Sequence, residues 1–380
     1  MFHLKGYNWR FLCLFVFPLL LMYVGIIRDF VNPSGARSRS LFLILWIILG
    51  WYLKNRHKSN SLFVSALIFS LYLSFIYILD LSNVGFDFAF LGCLLMWPIA
   101  INISCNSNIS DNDLNLIGIF GGVVTNFMAF SYVGIISNPA ILETLTYSAR
   151  VASYNSIYYI LLAMPLVFLI RKKWLILVFL IFPLNAFILS AKTTCLFTFL
   201  LIVGYFVFST LRRYSLNRKV KIALFTLGLL YVSTFFVDFA SILAGFQEDI
   251  DSGGNGRSSI ANEIFYLLEE DTTFLQLLFG HGSNAVLKKI QIGAHNDFLE
   301  IIFNYGLIGL ILFFVFWFYL LRQIKFLPPK SSLKQTYVMS LIVFFTTIFA
   351  SKMIGTQVQM LLLSLTWGLS YSYSVKNRLD

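Results

Sequence analysis

Residues 279–314 read FGHGSNAVLKKIQIGAHNDFLEIIFNYGLIGLILFF, a Gly-His-Gly, two lysines and Ala-His-Asn-Asp set directly before an apolar run of membrane length. Ionisable groups at the mouth of a transmembrane helix are costly to desolvate, and they mark a candidate functional site. The stretch predicts a helical span entered from a polar, structured loop, so polar chemistry is held at a bilayer surface.

The rest of the chain agrees with that start. Hydrophobic residues make up 58% of the 380 positions and charged residues 12%, with a mean hydropathy of +0.80. A soluble globule is excluded, and the expected class is an all-α membrane protein, a polytopic helical bundle. Runs of about 20 apolar residues cross a hydrocarbon core of about 30 Å. Twelve such runs are expected, at 9–27, 40–53, 61–79, 84–103, 114–137, 155–170, 174–189, 193–209, 221–240, 297–321, 335–354 and 356–374. The organisation that follows is nine spans in 1–240, one large outer loop in 241–296, and three spans in 297–380.

Basic residues orient this arrangement, because short cytoplasmic loops collect Lys and Arg. With both termini inside, most of the 28 basic residues fall on the inner side, among them Arg171, Lys172, Lys173, Arg322 and Lys325. The net charge of +11 is thereby a topology signal and calls for no nucleic acid. The first run lacks a small-residue cleavage site and is followed by further spans, so a signal anchor is the most it could be. Cys13, Cys93, Cys105 and Cys195 show no paired spacing, and neither a disulfide nor a metal site is expected.

The outer loop is the one connection long enough for structure of its own, and long loops in compact proteins are usually functional. It opens with an acidic stretch, Glu248, Asp249 and Asp251, and with Gly253, Gly254 and Gly256, which permit close backbone approach. Ser258 is expected to cap an amphipathic helix with Ile260, Ile264, Phe265, Leu267 and Leu268 on its apolar face, a pattern suited to lying on a membrane surface. A short apolar segment, 274–279, then leads to Gly280-His281-Gly282, and the loop is expected to fold back over the mouth of the bundle.

Of four histidines, the topology puts His3 and His57 inside and His281 and His295 outside. A neutral imidazole near pH 7 can take a proton from an attacking hydroxyl, so His295 and His281 are the candidate bases. Asp297 and Glu300 fit a capping box. Together with Asn304 they also form a polar stripe on a span that should be apolar, and such a stripe is expected to face the bundle interior or a wet cavity. Arg150, Lys192 and Arg257 are cations placed near the outer surface by three separate loops. Guanidinium groups match phosphate oxygens with paired hydrogen bonds, each charged bond netting roughly 1.5 to 3 kcal/mol. Converging cations of this kind could stabilise a departing pyrophosphate without a metal. Asp111-Asn112-Asp113 has the look of a metal-nucleotide motif, but it falls on the inner side in a short turn and is expected to be a solvated loop.

The order Arg257, Gly280-His281-Gly282, Ala294-His295-Asn296-Asp297, then Tyr305-Gly306-Leu307-Ile308-Gly309 resembles the O-antigen polymerase and ligase superfamily of bacterial envelope glycosyltransferases. The resemblance covers residues 254–318. More loosely, Arg150 with Asn155, and Ser190-Ala191-Lys192, are similar to family patterns of a cation at the opening of a span. Lys192 stands where arginine is usual, which keeps the charge and loses the planar fork. The resemblance implies a metal-independent, inverting glycosyltransferase without a cofactor. Its donor would be an oligosaccharide on undecaprenyl pyrophosphate, presented at the periplasmic leaflet of the inner membrane. Its acceptor would be a second repeat unit or the lipid A core, with a chain-length regulator as a candidate partner. His295 and Arg257 would be catalytic, and Arg150, Lys192, His281, Gly282, Asn296 and Glu300 would bind substrate. Polymerase is favoured over ligase. A lipid-linked sugar transporter is the alternative of a different class, expected to show broken helices in corresponding places of two halves.

Overall fold

A computed structural model describes residues 9–31, 60–80, 88–105, 109–138, 143, 155–190, 192–211, 257–291, 293–294, 296–329, 331–350, 354 and 359–379. The expected spans 40–53 and 221–240, the acidic and glycine-rich opening of the large loop, His3 and His57 lie outside the described residues.

Thirteen α-helices and one 3-10 turn make up the regular structure among the described residues. In chain order they are α1 Trp9–Val31, α2 Ser61–Leu79, α3 Phe88–Cys105, α4 Asp111–Ile136, α5 Ile157–Val167, α6 Lys173–Leu189, α7 Thr193–Leu211, α8 Arg257–Glu270, α9 Phe274–Phe279, α10 Ala285–Ile290, α11 Asp297–Gln323, α12 Ser332–Ala350 and α13 Gln359–Leu379. A helix stands at each expected apolar run that falls on described residues. Helices α2, α4, α7, α11 and α12 are long and apolar enough to cross a membrane, while the apolar stretches in α1, α3, α5 and α6 are shorter.

At the centre lies α5, whose residues are buried except Tyr159. It packs against α1, α4, α6, α7, α12 and α13. An aromatic cluster of Trp97, Phe313, Phe316, Phe344 and Trp367 joins α3, α11, α12 and α13. The Trp367 indole N–H donates to Ser340 Oγ at 3.0 Å. Small residues let backbones approach, as expected where lipid supplies no hydrophobic drive between helices. On α2, Ser70 donates to the Leu94 carbonyl of α3, and a Cβ added to Gly368 on α13 would collide with Ser104 Oγ and the Ile101 carbonyl of α3.

The turns sort the bundle into two ends. At one, α3 turns into α4, α5 into α6 and α11 into α12. The backbone N–H of Arg171 donates to Asn115 Oδ1 at 2.9 Å, and Gln323 Nε2 donates to Ser374 Oγ at 2.6 Å. Arg171, Lys172, Lys173, Arg322, Lys325 and Lys334 belong to this end. Asp113, read from sequence as part of a solvated loop, is instead buried in the first turn of α4. Ser110 N–H donates to Asp113 Oδ2 at 3.0 Å and Asp113 N–H to Ser110 Oγ at 3.2 Å, a reciprocal capping box. This capping accounts for Asp113, while Asp111 is exposed and lies 3.8 Å from Arg171. The opposite end carries the C-terminus of α2, the α6–α7 turn, the start of α11, and α8 to α10.

Candidate functional site

The site is organised by the first three turns of α11. Its N-cap is Asn296, whose Oδ1 accepts from Phe298 N–H at 2.9 Å and Leu299 N–H at 3.3 Å. The expected capping box on Asp297 and Glu300 is therefore corrected: the cap sits one residue earlier, because an Asn in extended conformation reaches the same orphan donors. Asp297 and Glu300 fall inside the helix, 3% and 5% exposed. Asp297 Oδ2 accepts from Ile354 N–H at a long 3.4 Å, and Glu300 Oε1 lies against Gly293. One turn on, Asn304 is buried and its Oδ1 accepts from Val286 N–H at 3.0 Å, supplying the first turn of α10 with a partner. The polar stripe read from sequence does face the interior.

At Gly306 the helix breaks, with φ +68° and ψ −170°. A break frees carbonyls that in a continuous helix would accept from residues four positions on, and unpaired backbone groups in a membrane bundle are costly. Each freed carbonyl finds a donor from elsewhere. His281 N–H donates to Phe303 O at 2.9 Å and Gly282 N–H to Asn304 O at 3.1 Å, and the Tyr72 hydroxyl on α2 donates to Tyr305 O at 2.8 Å. The Gly280-His281-Gly282 segment is thus a strap laid across the break. Two glycines make the crossing fit. A Cβ on Gly306 would strike the Leu278 carbonyl and Gly280 N, and one on Gly280, at φ +85°, would strike the Asn304 carbonyl.

Beyond the strap, a Cβ on Gly282 would come within 2.9 Å of the Asp80 carboxylate. Asp80 closes α2 and accepts from Lys288 Nζ of α10 at 3.1 Å, tying the loop to the bundle. Asp80, Asp297 and Glu300 are all buried here. The described part of the site is acidic, where the sequence led us to expect cations. Of those cations, Arg150 lies outside the described residues. Arg257 is the first residue of α8, with its side chain outside them, and Lys192 is the N-cap residue of α7, its carbonyl accepting from Cys195 and Leu196.

His295 also lies outside the described residues. His281 is placed, and its ring stacks on Phe303 with centroids 4.4 Å apart and 14° between planes, while its Nε2 is 2.9 Å from Thr272 Oγ1. Lys289 stands over the same Phe303 ring at 5.7 Å and pairs with Asp271 at 3.7 Å. Burial, and then the Lys289 ammonium, push the His281 pKa below the ordinary imidazole value, with Asp271 opposing. The ring stack on Phe303 and the Thr272 contact hold the strap against α11.

Two expectations about α8 change. Ser258 does not cap it, since the helix already begins at Arg257. Its apolar face meets protein: Ile264 is fully buried with Ala285, Val286, Ala294 and Phe303, and Ile260, Leu267 and Leu268 pack against them, whereas Phe265 is exposed on the other side. Asp80, Tyr72 and Thr272 were not singled out from sequence. For Asp80 a signal existed, a lone carboxylate closing an otherwise uncharged apolar run.

The fold and site together define an all-α membrane protein with a buried polar stripe at one end of the bundle, covered by a helical loop strapped to a broken helix. No family model matches the chain, and no curated protein matches it.

Proposed function

We propose that this protein is an inverting, metal-independent glycosyltransferase that joins oligosaccharide repeats carried on undecaprenyl pyrophosphate. In this reading the chain has twelve spans in a bacterial inner membrane, both termini cytoplasmic, and the α8–α10 loop is periplasmic. The cations at the opposite end, Arg171 to Lys173 and Arg322 to Lys334, support that orientation through the positive-inside rule.

The observation that carries the proposal is the polar stripe Asp297, Glu300 and Asn304, buried at the mouth of a span that carries the motif order of the resemblance. Carboxylates accept hydrogen bonds from sugar hydroxyls, so an acidic mouth suits a polyhydroxylated acceptor. In the proposed reaction His295 takes the proton of the acceptor hydroxyl as it attacks the anomeric carbon. Arg257, with Arg150 and Lys192, neutralises the pyrophosphate as it departs, an electrostatic effect worth several kcal/mol in comparable sites. Asn296 and the strap hold the start of α11 in place.

Purified protein incubated with lipid-linked repeat alone is expected to build a ladder of chain lengths on a gel. Transfer only after addition of core lipid would make it a ligase, and absence of both would remove the glycosyltransferase reading. His295→Ala and Arg257→Ala are expected to abolish turnover with membrane insertion intact. One observation favours a second reading, a lipid-linked sugar transporter: α11 is discontinuous at Gly306, and discontinuous helices form transport sites. Among the described residues Gly306 is the sole residue with non-helical backbone inside a helix. Movement of labelled lipid-linked sugar across a vesicle bilayer, without chain growth, would establish that alternative.

A further inference from the structure

Helix α9 has no buried residue, yet it is apolar: in FLQLLF, Phe274 is 73% exposed and Leu275 66%, with Leu277 and Phe279 exposed as well. An apolar six-residue helix facing water on this scale is unusual for an aqueous loop. Its depth supplies the reason. Arg322 marks the basic end of α11, and about 20 helical residues cover a hydrocarbon core of ~30 Å, so counting back from Arg322 brings the far boundary to the neighbourhood of Phe303. The end of α9 lies at that level, since the Leu278 carbonyl and Gly280 N abut Gly306 and His281 N–H bonds to Phe303 O.

The backbone around α9 also meets the demand that lipid makes. Thr273 and Gln276 form a reciprocal capping box at its start. Gly280 N–H returns to Gln276 O at 2.7 Å, and the next two N–H groups are taken by the carbonyls freed in α11. Irregular backbone at membrane depth is tolerated where protein satisfies it in this way. Helix α11, against which α9 packs, exposes the apolar Ile311, Phe314 and Phe318. On α10, Lys288 and Lys289 are partly exposed beside exposed Leu287, an arrangement suited to snorkelling toward lipid phosphates.

We infer that α9 with the Gly280-His281-Gly282 strap is a re-entrant element whose exposed Phe274, Leu275 and Phe279 sit among the acyl chains of the leaflet on the α8–α10 side. The occupant of this face is bilayer lipid, and the inference stands independently of the glycosyl-transfer reading. It differs from the surface-lying helix expected from sequence, because α8 spends its apolar face on protein and the shorter α9 enters the lipid.

Nitroxide labels at Phe274→Cys and Leu275→Cys, with Cys13 replaced by Ser, test this in vesicles of phosphatidylethanolamine and phosphatidylglycerol. Oxygen collision is expected to exceed collision with a water-soluble nickel chelate at both positions. The order should reverse at Ser258→Cys and Glu270→Cys on α8. Nickel access at 274 and 275 equal to that at 270 would overturn the inference, as would protection from both reagents, the mark of a protein partner. On the unsubstituted chain, a lipid carrying a photoactivatable group on its acyl chain is expected to form adducts within 274–279. Adducts confined to the spanning helices would overturn the inference by a route that needs no variant.

Discussion

Helix α5 and the first three turns of α11 both reach into the core of the bundle, and they are held in opposite ways. Every side chain of α5 is apolar apart from its tyrosine hydroxyls, and no charged group or left-handed residue interrupts it. The start of α11 buries Asp297, Glu300 and Asn304 and then abandons its own hydrogen-bond ladder at Gly306, so its carbonyls depend on residues 281 and 282 and on Tyr72, far away in sequence. The first region would tolerate apolar exchange of similar volume. The second is a set of mutual obligations, in which removing one partner strands another. A span that only had to cross a membrane would need none of this, and that contrast is why the proposed site is placed at the start of α11.

The sharpest way to break the comparison is Gly306→Ala. Backbone strain at a positive φ costs roughly 1 to 3 kcal/mol, and the added Cβ would meet two backbone atoms that cannot move aside. A fall in unfolding temperature in detergent larger than that of Leu161→Ala in α5 is expected. The latter should cost about 2 to 5 kcal/mol as an ordinary large-to-small core change. A harmless Gly306→Ala would mean that the helix can run straight and the strap is dispensable.

Asn304→Leu comes next. It keeps the branching at Cγ and removes the acceptor of the buried Val286 N–H, for which about 1 to 3 kcal/mol is expected, read as faster hydrogen exchange across α10. Smaller again is the tie between bundle and loop. A double-mutant cycle on Asp80→Asn and Lys288→Ala should give a coupling of about 1 kcal/mol, discounted because Lys288 is partly exposed. A coupling near zero would detach α10 from α2.

The least effect is the pH dependence of His281. Its folded pKa lies below the ordinary value, so the unfolded chain binds the proton more readily, and stability rises with pH in that window. Stability is expected to fall as pH drops below about 6.5, to level off once the folded imidazole is also protonated, and to lose this slope in His281→Gln. An unchanged slope would place the titration elsewhere.

Much of this was legible in the residues. Apolar run length located each described helix of the bundle, because a bilayer imposes a length on anything that crosses it. Spacing put Asp297, Glu300 and Asn304 on one face, and burial followed, since a polar stripe on a span has nowhere else to go. The cap of α11 is Asn296 where the spacing points to Asp297, because a cap one residue earlier leaves almost the same pattern. The break at Gly306 was hidden inside an apolar run, where a glycine in a straight helix and a glycine in a left-handed turn are spelled alike.

What the sequence determined by itself is therefore the class of the molecule, the run of its helices and the face on which its polar groups lie, all local consequences of hydropathy and periodicity. Only the tertiary structure decided that α8 turns its apolar face to protein while α9 is left bare, that Asp80 meets Lys288, and that a Gly-His-Gly strap repairs a broken helix. Those outcomes rest on which backbone groups go unsatisfied and which distant segment can reach them, and distance along the chain carries no record of that.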